Sequence, residues 1–471
     1  MMIKYISAFM AFLQVFLFTC FKSYCYQTIG VNKHVKYQQI ETFGTSSAWW
    51  AQKIDDDATA KEIARRLYDD ETGLGLDIFR YNIGAGEKEN PDSRIGDVNR
   101  RTESFYVLNP ETGEYEYDFS RDANARRVLD YAVEYGASKV ILFCNSPHFS
   151  MTASGHASGA LTDYTSNHPK EKYAEFVDYV LTIADWFVAQ GYPVSAISPI
   201  NEPMWTWGGG WVGQEGCHYT ADETVELLEM FALEMQKRNS PYELSGPESG
   251  QLTHEYYEYI DKFLASPILS DCCNSVAAHS YWIDNNIGAK QAFGQKMAEQ
   301  YPDVKFEMSE WCEIPLKIDS LTIDSGLHMA NVILQDLKYM NAVSWQSWTA
   351  VNGDGLMDLI DGELVTFNRY YAYMQFCRFI EPGMYRIDVL DSLKEDSLIE
   401  SIAFADDEKT VIILINNTEE DKPIKLHGLY KSQSVYRTDR ANNCTEIYSG
   451  IARRSLEIPA KSITTVVYEN L

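Results

Sequence analysis

Eight short apolar runs alternate with eight longer segments of helical period between residues 39 and 382, and this alternation restricts the fold more than any other property of the chain. The runs fall at 39–44, 76–83, 139–145, 196–201, 243–247, 275–281, 305–309 and 342–348. The helical segments fall at 58–70, 121–135, 170–190, 221–237, 254–264, 289–300, 323–339 and 367–380. A parallel strand needs a crossover before the next one, so strand then helix, repeated, marks βα units. Eight units predict a closed (β/α)8 barrel. An open dinucleotide-binding sheet would carry GxGxxG after its first strand, and none follows here. The 471 residues leave room for a barrel of roughly 250 residues or more and a smaller domain.

That smaller domain announces itself after Pro382 and Gly383, where the pattern shifts to short alternating runs at 398–404, 410–415, 423–426, 434–437 and 463–468. Turn pairs separate them, so the region reads as an antiparallel side β-sandwich. The segment 26–38, ahead of the first barrel strand, supplies one more sandwich strand. The expected layout is a leader at 1–25, a sandwich strand at 26–38, the barrel at 39–382 and the sandwich proper at 383–471. Lys4 followed by an apolar run at 5–21 and Ser23-Tyr24-Cys25 is a signal-peptide pattern, implying a secreted or extracellular product; an uncleaved anchor is the alternative.

Two glutamates stand at strand ends. The run 194–200 delivers Asn201 and Glu202 to a turn at Pro203, and 304–309 delivers Glu310 and Trp311. A carboxylate at the end of a buried strand is costly unless it is used or paired. Either Glu alone could cap a helix or hold an ion pair, but barrel topology brings both to one mouth. Paired carboxylates among aromatic rings are the equipment of glycoside hydrolysis. Of the ten tryptophans, all but Trp186 lie at or just after strand ends, where indoles can stack on the CH faces of sugars. Other polar groups recur at that rim: Arg80, Asn145, Asn201, Glu248, His279 and Tyr281. Arg80 has two readings, a structural ion pair or a cation that keeps a carboxylate ionised. His279 reads equally as a satisfied buried histidine, and Glu248, in a GPESG turn, as a spare third carboxylate.

Net charge of −28 excludes a nucleic-acid or anionic-membrane partner, because phosphate binding needs clustered Lys and Arg, and it favours an uncharged polysaccharide or oligosaccharide. No obligate protein partner is evident. Outside the leader seven cysteines remain, without CxxC spacing for zinc; a bridge from Cys217 to Cys272 or Cys273 stays open. Asp354, Asp358 and Asp361 are too unevenly spaced for a calcium loop, so no metal or other cofactor is expected. Asn416 and Asn443 begin glycosylation sequons.

NEP at 201–203 with SEW at 309–311 resembles the large clan of retaining barrel glycosidases. FGTSSAWW (43–50), RYNIG (80–84), NSP (145–147), HSY (279–281), WQSW (345–348) and FIEPG (379–383) narrow the resemblance to glycoside hydrolase family 30. That resemblance implies a double displacement with Glu310 as nucleophile and Glu202 as acid/base. It further implies Asn201 on the sugar 2-hydroxyl, Arg80 and Tyr281 holding Glu310, and Trp348 beneath the reacting sugar. Trp50, Phe149, Trp205 and Trp207 would wall neighbouring subsites, with Asn145 and His279 also in the site. NSPHFSMTASG (145–155) and QEGC (214–217) are similar to the endo-β-1,6-galactanase branch. The glucosylceramidase-like and β-1,6-glucanase branches usually carry Trp where this chain has His148 and Phe149, which leaves room for an axial 4-hydroxyl. The alternatives are another activity of the family (β-1,6-glucanase, β-glucosidase or glucosylceramidase, xylanase) or a carbohydrate-binding protein without turnover.

Overall fold

The computed structural model describes residues 27–315, 317–393, 397–428 and 430–471; the leader expected at 1–25 lies outside them. Eight parallel strand positions close into a barrel. Thr42–Ser46, Ile78–Asn82, Lys139–Phe143 and Val194–Ser198 follow one another, then a broken fifth position, then Ser275–His279, Lys305–Trp311 and Ala342–Thr349. The last strand pairs with the first, Ser344 opposite Thr42. The fifth position is two pieces, Glu243–Leu244 bound to the fourth strand and Pro247–Ser249 bound to the sixth. Ser245 N–H donates to Ile197 O at 2.8 Å on one side, and Ala277 N–H donates to Gly246 O at 2.8 Å on the other, so the ring stays hydrogen-bonded across the break. Sequence periodicity treats 243–247 as one run; the break appears where Gly246 and Pro247 interrupt the ladder.

Each expected helix is present within a few residues of its periodic segment, for example Ile323–Tyr339 and Ala221–Arg238. The latter is started by a reciprocal bond between Thr220 and Glu223, which satisfies two orphan N–H groups of the first turn. A buried pair, Lys290 and Asp336 at 2.7 Å, ties two barrel helices together. Asp336 also accepts from Ser280 Oγ and from Trp345 Nε1, both at 2.9 Å, so it anchors the end of the sixth strand between His279 and Tyr281.

The side domain is a nine-stranded sheet folded over its own core, which includes Ile29, Ile387, Ile412, Leu414, Ile424 and Val466. Its strand from the chain's start, Gln27–Gln39, runs antiparallel to Tyr385–Asp391 and parallel to Lys422–His427, and it kinks where the register slips between Asn32 and Lys36. The sandwich therefore uses both the N-terminal segment and the C-terminal region. It docks on the last barrel helix through Gln375, whose Nε2 donates to Thr438 Oγ1 at 2.8 Å, and through Phe379 against Tyr436, 4.5 Å between ring centres.

Among the described residues all seven cysteines are thiols, so the bridge from Cys217 is not formed. The sequon at Asn416 is closed as well: its side chain is fully buried and Nδ2 donates to the carbonyls of Glu420, Ile458 and Pro459. Asn443 is exposed.

Candidate active site

Glu202 lies in the loop after the fourth barrel strand and Glu310 near the end of the seventh, and the barrel brings them together across its mouth. An oxygen of each, with one nitrogen of His279, lies within 4.8 Å of the others. Glu310 is 4% exposed and held from two sides: Arg80 Nη1 donates to Oε2 at 2.6 Å, and Tyr281 OH donates to Oε1 at 3.1 Å. Glu202 Oε1 lies 3.0 Å from His279 Nδ1. Gly250 makes that position possible, since a Cβ there would come within 2.5 Å of Glu202 Oε1.

A third carboxylate, Glu248, completes the cluster. It accepts from Ser198 Oγ at 2.8 Å and from Ser309 Oγ; His279 Nε2 lies 3.2 Å away and Arg80 Nη2 3.8 Å away. Desolvation raises its pKa, but Arg80, His279 and Ser309 together outweigh that and bring it down to about 2. His279 is fully buried. Desolvation disfavours its charge, while Glu310, Glu202 and Glu248 more than reverse this and push it up to about 10, so both ring nitrogens carry protons toward carboxylates. Burial raises Glu310; His279 and Arg80 oppose the rise, and the neighbouring Glu202 adds to it. Glu202, His279 and Glu310 have the composition of a cation site, and both ring nitrogens of His279 already face carboxylates, Glu202 at 3.0 Å and Glu248 at 3.2 Å.

Glu202 and Glu248 both have positive φ, 44° and 57°, a conformation that costs a non-glycine residue about 1–2 kcal/mol. Each turn is held: Glu202 N–H donates to Glu248 O at 2.9 Å, and Trp207 Nε1 donates to Glu202 O at 2.8 Å. Strained backbone at the end of two neighbouring strands re-aims both carboxylates, which is where such strain is tolerated.

The remaining expected residues divide. Asn145 and Asn201, 1% and 3% exposed, each keep an Oδ1 without a partner in the chain. Trp348 packs edge-on against Trp49 and Phe143 and lies 5.8 Å from the Arg80 guanidinium. Phe149 and Trp205 are half-buried, against His148 and Tyr256 respectively. Trp50 and Trp207 are buried, as Trp348 is. Trp50 is 1% exposed with its indole N–H on Ser46 O, and Trp207 is 4% exposed with its N–H on Glu202 O. Both indoles hold a backbone carbonyl of a nearby loop. Trp311 and Trp345 are also core residues, their indole nitrogens on Asp284 and Asp336.

Two residues were not singled out as central: Glu248, whose importance depends on contacts across the barrel, and Gly250, whose missing Cβ matters only once Glu202 is in place. A pH test reports on Glu248. Its contribution to stability is complete above pH 4.5 and lost as pH falls toward 2. That of His279 is complete below 6.5 and lost as pH rises toward 10. Glu248→Gln removes an anion from His279, so the alkaline limb of thermal stability is expected to move down by about one pH unit or more. An unmoved limb would show that the His279 charge does not depend on Glu248.

Comparison with known proteins bears on the family and the fold. Residues 26–360 match the model of O-glycosyl hydrolase family 30, and 383–466 match the family 30 β-sandwich domain. An endo-β-1,6-galactanase from Hypocrea rufa is 23% identical over 386 residues, 76% of this chain and 75% of that protein. A conserved exported protein from Bacteroides fragilis superposes with TM-score 0.84 at 26% identity, over 93% of this chain and all of the other. A family 30 endoxylanase from Clostridium papyrosolvens superposes with TM-score 0.71 at 21% identity, over 94% of this chain and all of that one. With both parts of its architecture matched by models of one family, the chain belongs to glycoside hydrolase family 30.

Proposed function

We propose that this glycoside hydrolase cleaves a β-linked neutral glycan with retention of configuration, Glu310 attacking the anomeric carbon and Glu202 serving as acid and then base. The observation that carries the reading is an oxygen of Glu202 within 4.8 Å of an oxygen of Glu310. Retaining enzymes hold their carboxylates about 5 Å apart, whereas inverting enzymes leave roughly 6.5–9.5 Å for a water.

The charges favour this division of labour. Arg80 and His279 supply two buried cations against three carboxyls, so the cluster is neutral when the Glu202–Glu310 pair carries one proton. Arg80 and Tyr281 donate to Glu310 and stabilise negative charge on it, as a nucleophile needs. His279 faces Oε1 of Glu202, so Oε2 is the oxygen that hands a proton to the departing sugar. As the bond breaks, Glu310 forms a glycosyl ester and Glu202 becomes a carboxylate. It then deprotonates water, which displaces Glu310 and regenerates both groups. The unpartnered Oδ1 of Asn201 is an acceptor for the sugar 2-hydroxyl.

The substrate favoured is β-1,6-linked galactan, supported by the likeness to the Hypocrea rufa galactanase and by the HF pair at 148–149. The leader pattern and the likeness to an exported protein support a secreted product. The test is product analysis after incubation with β-1,6-galactan, β-1,6-glucan and glucuronoxylan in parallel. Short galacto-oligosaccharides from the first alone are expected; release from another polymer moves the specificity, and release from none removes the proposal.

A further inference from the structure

Beside the barrel mouth lies a groove of about 900 Å³ that the residues of the carboxylate cluster do not line. It runs between the loops after the sixth and seventh barrel strands and the helix Ile323–Tyr339, and it reaches the sandwich at Asn417 and Lys461. Its entrance is marked by Trp282, which is 53% exposed although both neighbours, Tyr281 and Ile283, are buried. Trp282 has φ 66°, a conformation disfavoured for a bulky side chain by about 1–2 kcal/mol. The chain thus holds an unfavourable turn that puts a large apolar face in water, where it gains nothing from burial.

The far wall carries a second, independent feature. Gln335 is only 8% exposed, and its Oε1 has no hydrogen-bond partner in the chain. Two helical turns earlier, on the same face, His328 lies between two carboxylates, with Nδ1 3.7 Å from Glu313 and Nε2 3.9 Å from Asp284. A buried acceptor left without a donor costs about 1–3 kcal/mol, and a ligand hydroxyl would remove that cost. Acidic groups outnumber basic ones in the groove, which disfavours an anion: Asp284, Glu313, Asp324 and Glu400 line it with Lys317 and Lys461, and Lys461 is paired with Asp324 at 3.2 Å and Glu419 at 3.4 Å. An exposed indole and an orphan amide oxygen together fit an uncharged, hydroxyl-rich chain with apolar ring faces.

We propose that this groove is a second glycan-binding site, which holds a stretch of neutral polysaccharide outside the cleft where the bond is cut. The inference rests on the reading of the chain as a polysaccharide hydrolase. Trp282 directly follows Tyr281 in the loop after the sixth barrel strand, so the groove lies on the same side of the barrel as the mouth. The second contact then raises the local concentration of substrate without touching the reacting sugar.

Binding is read with Glu310→Gln as background, so that polymer is not consumed, by retardation in native gels containing β-1,6-galactan, β-1,6-glucan or xylan. Trp282→Ala is expected to weaken binding of the retarding polymer at least about fivefold, the loss of one stacked ring. Gln335→Leu is expected to weaken it about two- to threefold; it replaces an orphan polar group with an apolar one and so does not threaten the fold. Affinity for a two- or three-sugar fragment should stay within about twofold in Gln335→Leu. Retardation by no polymer, or retardation that neither variant changes, overturns the groove. Cleavage of β-1,6-galactan with unchanged retardation would leave the proposed activity standing without the groove. Trp282-dependent retardation by a different glycan, with galactan uncut, would leave the groove standing and remove the galactan reading.

Discussion

Glu310→Gln is expected to reach the folded state and to lose about four orders of magnitude or more in kcat, the scale on which enzymes lose a nucleophile. Shape and volume are preserved, and the remaining amide oxygen can still accept from Arg80 or Tyr281. What disappears is the ability to form a glycosyl ester, because an amide is a poor nucleophile toward an anomeric carbon. The replacement also removes one of the carboxyls that balance Arg80 and His279, so a modest fall in unfolding temperature should accompany the kinetic loss. Rates on the polymer identified by product analysis, with thermal unfolding of the same preparations, check this. A variant within tenfold of the parent would take the nucleophile's role away from Glu310.

Glu202→Ala should behave differently. General acid catalysis is worth about 10²- to 10⁴-fold, and the loss should be largest where the leaving group most needs a proton. Natural glycosidic bonds are expected to suffer the full loss, and aryl glycosides with acidic phenols a much smaller one. Added azide should restore turnover, since a small anion can enter the space left by the side chain and needs no base. The glycosyl azide should have the configuration of the substrate, because it arises by a second inversion at the same carbon. Equal loss on every leaving group, with no azide effect, would argue that Glu202 shapes the site without moving a proton.

The fold was legible because helix and strand periods differ and each is repeated eight times, so local errors do not change the count. Side-chain direction was harder to read, and the tryptophans show why. Trp345 and Trp348 are three apart on one strand and therefore face opposite ways: Trp345 points out to Asp336, and Trp348 lies by Arg80. Glu310 and Trp311 are adjacent and diverge for the same reason, the first toward Arg80 and the second toward Asp284. Alternation alone could have assigned Trp311 and Trp345 to the core once Glu310 and Trp348 were placed inward. Trp50 lies beyond its strand, where no period applies. The Glu248 contacts with Arg80, His279 and Ser309 join four different barrel strand positions, and no single segment carries that information.

The strand Gln27–Gln39 gives the chain an unusual timetable. Its partner Tyr385–Asp391 lies roughly 360 residues downstream, and Lys422–His427 further still. At a synthesis rate of about 5–20 residues per second, the first strand spends about twenty seconds to a minute without a mate while the whole barrel is made. Its alternating face and unpaired edge are open to foreign strands throughout that interval. The exposed residues His34, Val35, Lys36 and Tyr37 place two groups with basic side chains in the middle of that edge, and positive charge is a common means of discouraging a stray strand from pairing. The sandwich can close only after its last strands have emerged, so the part of the molecule that begins the chain is among the last to find its place.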